Sequence, residues 1–498
     1  MINSNKILNS NFRVILTICF INSIYLFFSL DNPWIIDDFG LIFPIKLFNL
    51  INDNTITFQS FVFSEYASSY VSKSRYVPLY DFFNQFLPSS SLFFQIFVVS
   101  IYTICAVSIY FISFKIFENK NIALFSSILF SINYSISIKM LTWNLFYNHI
   151  LACVFGFLAI VFFLNINETK RFQKAYTFLY ILFSCFAFLT SEIGLVFPIL
   201  NITIYYFFIN KKFIIKNIFI SFFPIIIFIF LIFLNTGRLL PLFLERVDER
   251  SGGMEEVFNN NDQNTLYFNR STYAPRNKET YFIRSVDNLM SSINILSIEK
   301  VLKFYDSDSR IKDFLKKNYQ YFYLALFILL LVFLIILLRQ KYTPDEKSKI
   351  VKLFAVYLLM MFTFTIVFFR RDLNIALSFS SALLISYLVN IFLNKNLRYI
   401  VVIILFFFLS PTILYYLTKF EYTMTDLGPK TDTIVEEEKL FKEALSGKIN
   451  DNYKNLRDYK YFYYYINFEN NKQYLISEYK GLSYADFNLK FSKKDMNF

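Results

Sequence analysis

The sequence predicts an all-α polytopic membrane protein with about eleven transmembrane helices, outer-face loops and a small C-terminal α/β domain outside the membrane. Three observations predict it. Of the 498 residues, 56% are hydrophobic and only 17% charged, with a mean hydropathy of +0.44, which is more apolar surface than one water-soluble globule buries. The apolar residues are gathered in runs of about 17 to 25, the length that crosses ~30 Å of hydrocarbon as a helix. The Lys and Arg residues fall between these runs and favour alternate loops.

In chain order the candidate spans lie near 14–30, 91–114, 122–138, 149–165, 176–191, 195–209, 217–234, 320–338, 351–369, 373–394 and 399–418. The fifth and sixth are short and closely joined. The first is followed by LFFSLDNPW, with no small-residue cleavage pattern, so it reads as an uncleaved spanning helix and not a signal peptide. Counting Lys and Arg on alternating sides, with the two long outer segments left out, gives 17 on one side and six on the other. Positive-inside bias then places the N-terminus in the cytoplasm and the C-terminus outside. The expected setting is a bacterial plasma membrane, with the lipid bilayer as partner.

This divides the chain into a transmembrane domain, 1–418, with outer loops 31–90 and 235–319, and an extracytoplasmic domain, 419–498. The second loop is polar, with LERVDERSGG and FNNNDQN, and suits a lid over a membrane-level site. The tail has EEEKLFKEAL, with Leu440, Phe441 and Leu445 at helical spacing, and then the tyrosine-rich YKYFYYYINF. That pattern predicts a small α/β cap, marginal in stability if it stood alone.

Composition also excludes function classes. The net charge of +12 is distributed topologically between apolar runs, so no nucleic-acid partner is expected. A single histidine, His149, leaves little material for a zinc site or a Ser-His-Asp relay. The nine glycines form no phosphate-cradling loop after a strand. Cys19, Cys105, Cys153 and Cys185 lie far apart inside apolar runs and read as small core residues.

The residues able to carry chemistry cluster on the outer face. In DNPWIIDDFGLIFP, Asp31, Asp37 and Asp38 stand where a membrane protein ordinarily avoids acids. One carboxylate of the Asp37–Asp38 pair suits a general base whose pKa is raised by apolar surroundings. The pair is also suited to hold a divalent cation such as Mg or Mn, and the structural alternative is a helix N-cap. Next come RYVPLY with Arg75 and Pro78, MLTWNLFYNHIL with Trp143, Asn148 and His149, and LTSEIGLVFP with Glu192 and Pro198. Glu192 either faces a cavity or pairs structurally, with Arg75 as the candidate partner. His149 begins a helix as a packing or a catalytic histidine, and Trp143 suits the interfacial belt. In FFRRDLN, Arg370 and Arg371 occupy a short outer turn, as a phosphate clamp or as headgroup anchors.

The order of these elements resembles the GT-C superfamily of integral membrane glycosyltransferases, including its protein O-mannosyltransferase-like and aminoarabinose-transferase-like branches. The resemblance is carried by the acidic pair in IIDDFG and by an Arg-Pro-Leu element matched loosely by Arg75, Pro78 and Leu79. It extends to Trp143 before a small apolar helix and to SEIGLVFP, where Ser191 replaces a lysine. It covers residues 10 to 200 well and the later helices by layout. It implies transfer of a sugar from a polyprenyl-phosphate donor to a lipid, glycan or protein acceptor, with inversion and no certain cofactor. In that reading Asp37 or Asp38 deprotonates the acceptor or orients it with a metal. Arg75 and Glu192 support the site, and Arg370 and Arg371 hold the phosphate with His149 nearby. Two other classes share the layout: a polysaccharide polymerase or ligase, which depends on outer arginines and a histidine, and a lipid-linked sugar flippase, which needs interrupted helices and access from both faces.

Overall fold

The computed structural model describes residues 4–29, 42–63, 77–88, 90–133, 147–166, 170–209, 215–236, 342–367, 375–394 and 454–493, with single positions within 285–293 and 321–339 and at 401, 402, 439 and 443. The helices are α1 (Ser4–Ser29), α2 (Phe43–Asn52), α3 (Phe58–Phe63), α4 (Pro78–Asn84), α5 (Ser91–Phe117), α6 (Lys120–Ser131), α7 (Tyr147–Asn165) and α8 (Gln173–Thr190). They continue, after a 3-10 turn at Glu192–Leu195, with α9 (Val196–Ile204), α10 (Ile215–Thr236), α11 (Pro344–Val367), α12 (Ile375–Asn394), α13 (Lys454–Ile466), α14 (Phe468–Tyr479) and α15 (Tyr484–Lys493). Among the described residues there is no strand.

Four described segments are long and apolar enough to cross a membrane: Leu92–Phe117, Tyr147–Asn165, Ile215–Leu234 and Leu377–Asn394. Two shorter apolar helices run over Asn11–Leu26 and Ile193–Ile209. All six overlap runs that the sequence marks as spans, and the chain is an all-α protein with membrane-spanning helices. Their outward faces are apolar. On α1, Phe12, Leu16, Phe20 and Ile24 are exposed at every fourth position, while Ile18, Asn22 and Tyr25 face inward. Along 321–339, Tyr321, Ile328, Val332 and Ile335 form a similar exposed stripe. An apolar exterior of this extent is stable in lipid, not in water.

Polar residues punctuate the helices where the apolar runs stop. Asn119 caps α6 by accepting from Asn121 N at 2.9 Å and Ile122 N at 3.2 Å. Thr343 and Glu346 form a reciprocal capping box at α11: Glu346 N donates to Thr343 Oγ1 at 3.3 Å and Thr343 N to Glu346 Oε2 at 2.8 Å. At the centre of the bundle, α7 meets α6, α9 and α12 through Phe157, whose ring lies 6.1 Å from Phe130, 5.1 Å from Phe197 and 5.1 Å from Phe379. Gly156 permits this approach, because a Cβ there would stand 2.3 Å from the Phe197 ring.

Within the segment 235–319, Val286, Leu289 and Ser292 are helical and buried. Asn133 Nδ2 donates to Ser292 O at 3.0 Å and Ser381 Oγ to the same carbonyl at 2.7 Å. Tyr357 OH donates to Leu289 O at 2.8 Å and lies 2.7 Å from Ser292 Oγ. Partners on α11, α12 and the end of α6 thus satisfy a polar turn that the local sequence presents as a loop.

One expectation is corrected in the tail, where the described residues are helical and not α/β. Tyr461, Tyr464 and Phe468 recur at three- and four-residue spacing and are buried, as are Tyr479, Phe487 and Phe491. Phe491 is the hub, 4.7 Å from the Tyr461 ring and 5.3 Å from Tyr479, and its carbonyl accepts from Lys460 Nζ at 3.0 Å. The three helices dock on α2 through Phe43–Phe462 at 4.8 Å, Phe48–Tyr484 at 5.3 Å and Phe48–Phe487 at 5.5 Å. Gly481, at φ 82, turns α14 into α15 and donates its N–H to Asn52 Oδ1 at 2.9 Å. The C-terminal helices therefore pack on the helix that follows the first apolar run.

Candidate functional site

The site is built where α4, the start of α7 and the turn after α8 converge, beside the docked α2. Pro78 fixes the first turn of α4, and its missing N–H costs nothing there. Tyr80 and Asn84, one turn apart, then face Tyr147 at the start of α7. The Tyr80 and Tyr147 rings lie 5.4 Å apart, and Tyr147 OH donates to Asn84 Oδ1. The other side of α4 is apolar: Leu79 joins Phe188, Leu189, Phe228 and Ile232 of α8 and α10 in a separate core.

The residue after Tyr80 is an acid that the sequence reading did not single out. Asp81 is half-buried in the first turn of α4, and burial pushes its carboxyl from the ordinary value of 3.8 up to about 8. Such a carboxyl is protonated near neutrality and can donate a proton. Its signal was available: Pro-Leu-Tyr-Asp starts a helix, and the Tyr80–Asn84 pairing sets its phase.

At α7, Tyr147, Asn148 and His149 are buried in the first turn. Asn148 Oδ1 is enclosed with no hydrogen-bond partner among the described residues, an orphaned acceptor of the kind that marks a ligand or water position. His149 Nδ1 lies 2.8 Å from Ser191 Oγ. Ser191 leads into the 3-10 turn, where Gly194 packs so closely on the end of α8 that a Cβ would stand 2.6 Å from the Ala187 carbonyl carbon. The backbone of Glu192 opens that turn.

Beside them α2 is tied to the stretch after α4. Gln85 Oε1 accepts from Asn49 Nδ2 at 3.1 Å and from Ile56 N at 3.2 Å, and Gln85 Nε2 donates to Ile56 O at 2.9 Å. Lys46 donates to Leu87 O with its ammonium 5.8 Å from the Tyr465 ring, and burial lowers its pKa to about 8.

Three of the sequence-marked segments, PLY of RYVPLY, YNHIL and SEIGL, are thus brought together at one end of the bundle. Of the candidate residues, His149 is placed there in full and Glu192 by its backbone. Asp31, Asp37, Asp38, Arg75, Trp143, Arg370 and Arg371 lie outside the described residues. Among the described residues no group of three or more His, Cys, Asp or Glu could hold a metal ion. No protein-family model, curated protein or solved structure matches the chain.

Proposed function

We propose that the chain is a membrane glycosyltransferase of GT-C type, with about eleven spans, that moves a sugar from a polyprenyl-phosphate donor to an acceptor at the outer face of the plasma membrane. The observation that carries the reading is the convergence of PLY, YNHIL and SEIGL at the end of the bundle where α2 continues the acidic loop. A lipid-phosphate donor reaches such a site laterally through the bilayer, which suits a chain without a nucleotide-binding loop. Asp37, with Asp38 as the second candidate, takes the proton of the acceptor hydroxyl. The acceptor oxygen then bonds to the anomeric carbon as the carbon–oxygen bond to phosphate breaks, with inversion, and polyprenyl phosphate leaves with the electron pair. Arg75, Arg370 and Arg371 neutralise the departing phosphate, and Glu192 holds Arg75. Asp37 and Asp38 are also the residues that would hold a divalent cation, which would supply charge stabilisation.

The test is sugar transfer in membranes containing the full chain, with polyprenyl-phosphate sugars as donors and products read by mass spectrometry. Asp37→Asn, Asp38→Asn and Arg371→Ala are run alongside. A glycosylated product and free polyprenyl phosphate, both lost in aspartate variants that still insert, establish the reading. Transfer surviving both aspartate variants keeps the class and removes the site, and no turnover over a broad donor panel removes the class.

One observation favours a second reading, a lipid-linked sugar flippase. Helix α6 has 12 residues, about 18 Å at ~1.5 Å per residue, and stops inside the bundle. Its last carbonyls accept from Tyr102 OH, at 2.9 Å to Phe130 O and 3.1 Å to Ser131 O. Short helices ending at membrane depth are a feature of carriers. Transbilayer movement of a lipid-linked sugar in vesicles, without sugar transfer, would select this reading.

A further inference from the structure

Ser191 Oγ serves two partners. It lies 2.8 Å from His149 Nδ1, and it caps the 3-10 turn by accepting the Ile193 N–H at 3.4 Å. Ser191 is 0% exposed and His149 2%, so bulk water completes neither side chain. A serine hydroxyl has one proton to give and two lone pairs to accept with. One lone pair is committed to Ile193, and among the described residues the acceptor for the proton is His149 Nδ1. The reverse arrangement, with Nδ1–H donating to Ser191, would leave a buried O–H with no acceptor. An imidazole that accepts at Nδ1 carries its proton on Nε2.

We propose that Ser191 locks His149 in the Nε2–H tautomer, so that the single histidine of the chain is a hydrogen-bond donor at its far ring edge. Nε2 bears the proton and the Nδ1 lone pair accepts the Ser191 hydroxyl, so the ring presents a donor, not an acceptor, away from Ser191. Ser191 is the positioning residue in this arrangement. The inference stands independently of the transferase reading.

With one histidine in the chain, selective 15N-histidine labelling of the full protein in lipid nanodiscs yields a nitrogen spectrum of one imidazole. The expected spectrum at neutral pH shows an unprotonated Nδ1 and a proton-bearing Nε2. Ser191→Ala shifts the population toward the Nδ1–H form, and Ser191→Thr, which keeps the hydroxyl, retains the native pattern. A native imidazole protonated on Nδ1 or on both nitrogens overturns the proposal, as does a Ser191→Ala spectrum identical to the native one. If Ser191→Ala does not fold, the native spectrum alone decides. Loss of transfer activity has no bearing on this readout, so failure of the tautomer and failure of the transferase reading are separable.

Discussion

Two polar assemblies among the described residues differ in how their acceptors are filled. Around Ser292, inside the bundle, the backbone acceptors are filled: the Ser292 carbonyl receives Asn133 and Ser381, and the Leu289 carbonyl receives Tyr357. At the end of the bundle, around α4 and α7, Asn148 Oδ1 is left without a partner among the described residues, and burial raises the Asp81 carboxyl. Filled backbone acceptors fix the position of the chain, whereas an unfilled side-chain acceptor at a helix start is a place where a ligand or water can bind.

The largest expected effect comes from the proposed base. Asp37→Asn should lower transfer by ~10²–10⁴-fold, the range of general acid–base catalysis, while thermal unfolding in detergent stays where it is. Asn148→Ala sharpens the point. If its orphaned carbonyl faces a ligand, truncation lowers transfer at least tenfold and leaves stability unchanged or raised, since an unsatisfied buried acceptor has been removed. A loss of stability with full activity would place Asn148 with the scaffold.

The filled assembly should respond in the opposite sense. Tyr357→Phe deletes the hydroxyl that serves both Leu289 O and Ser292 Oγ, and should cost about 1–3 kcal/mol of stability with turnover per folded molecule preserved. Equal loss of turnover and stability would erase the distinction between the two regions.

Asp81 gives a pH signature. Its folded pKa of about 8 lies above the ordinary value of 3.8, so the folded state holds the extra proton between them. The contribution is complete below about pH 4 and disappears as pH rises through about 8. Unfolding followed from pH 4 to 8 should show stability falling in the native chain and a flatter profile in Asp81→Asn.

The spans were legible because burial in lipid demands long apolar runs, and 91–114, 149–165, 217–234 and 373–394 each overlap a described helix of that kind. The turn at 285–293 was not, because Ser292 is held by Tyr357, Ser381 and Asn133, partners 65, 89 and 159 residues away. In the tail, strand propensity of tyrosines suggested sheet, and the buried spacing of Tyr461, Tyr464 and Phe468 prevailed. Asp81 was passed over because α4 is a seven-residue helix inside what reads as a loop.

The smallest effect tests whether the tail belongs to the site around α4 and α7. Asn52 Oδ1 accepts the Gly481 N–H across 429 residues, at the turn where the C-terminal helices meet α2. Asn52→Ala removes that acceptor and should cost about 0.5–1.5 kcal/mol, felt as docking of the tail and not as unfolding of the bundle. Limited proteolysis reads it: the tail should be cut faster in the variant while the transmembrane part remains protected. The aromatic contacts of Phe43 and Phe48 hold most of the interface, so the change is expected to be graded. If the tail stabilises α2, and through it the loop that carries Asp37 and Asp38, transfer falls in proportion to the undocked fraction. Unchanged transfer alongside faster cleavage would show that the tail does not contribute to the chemistry of that site.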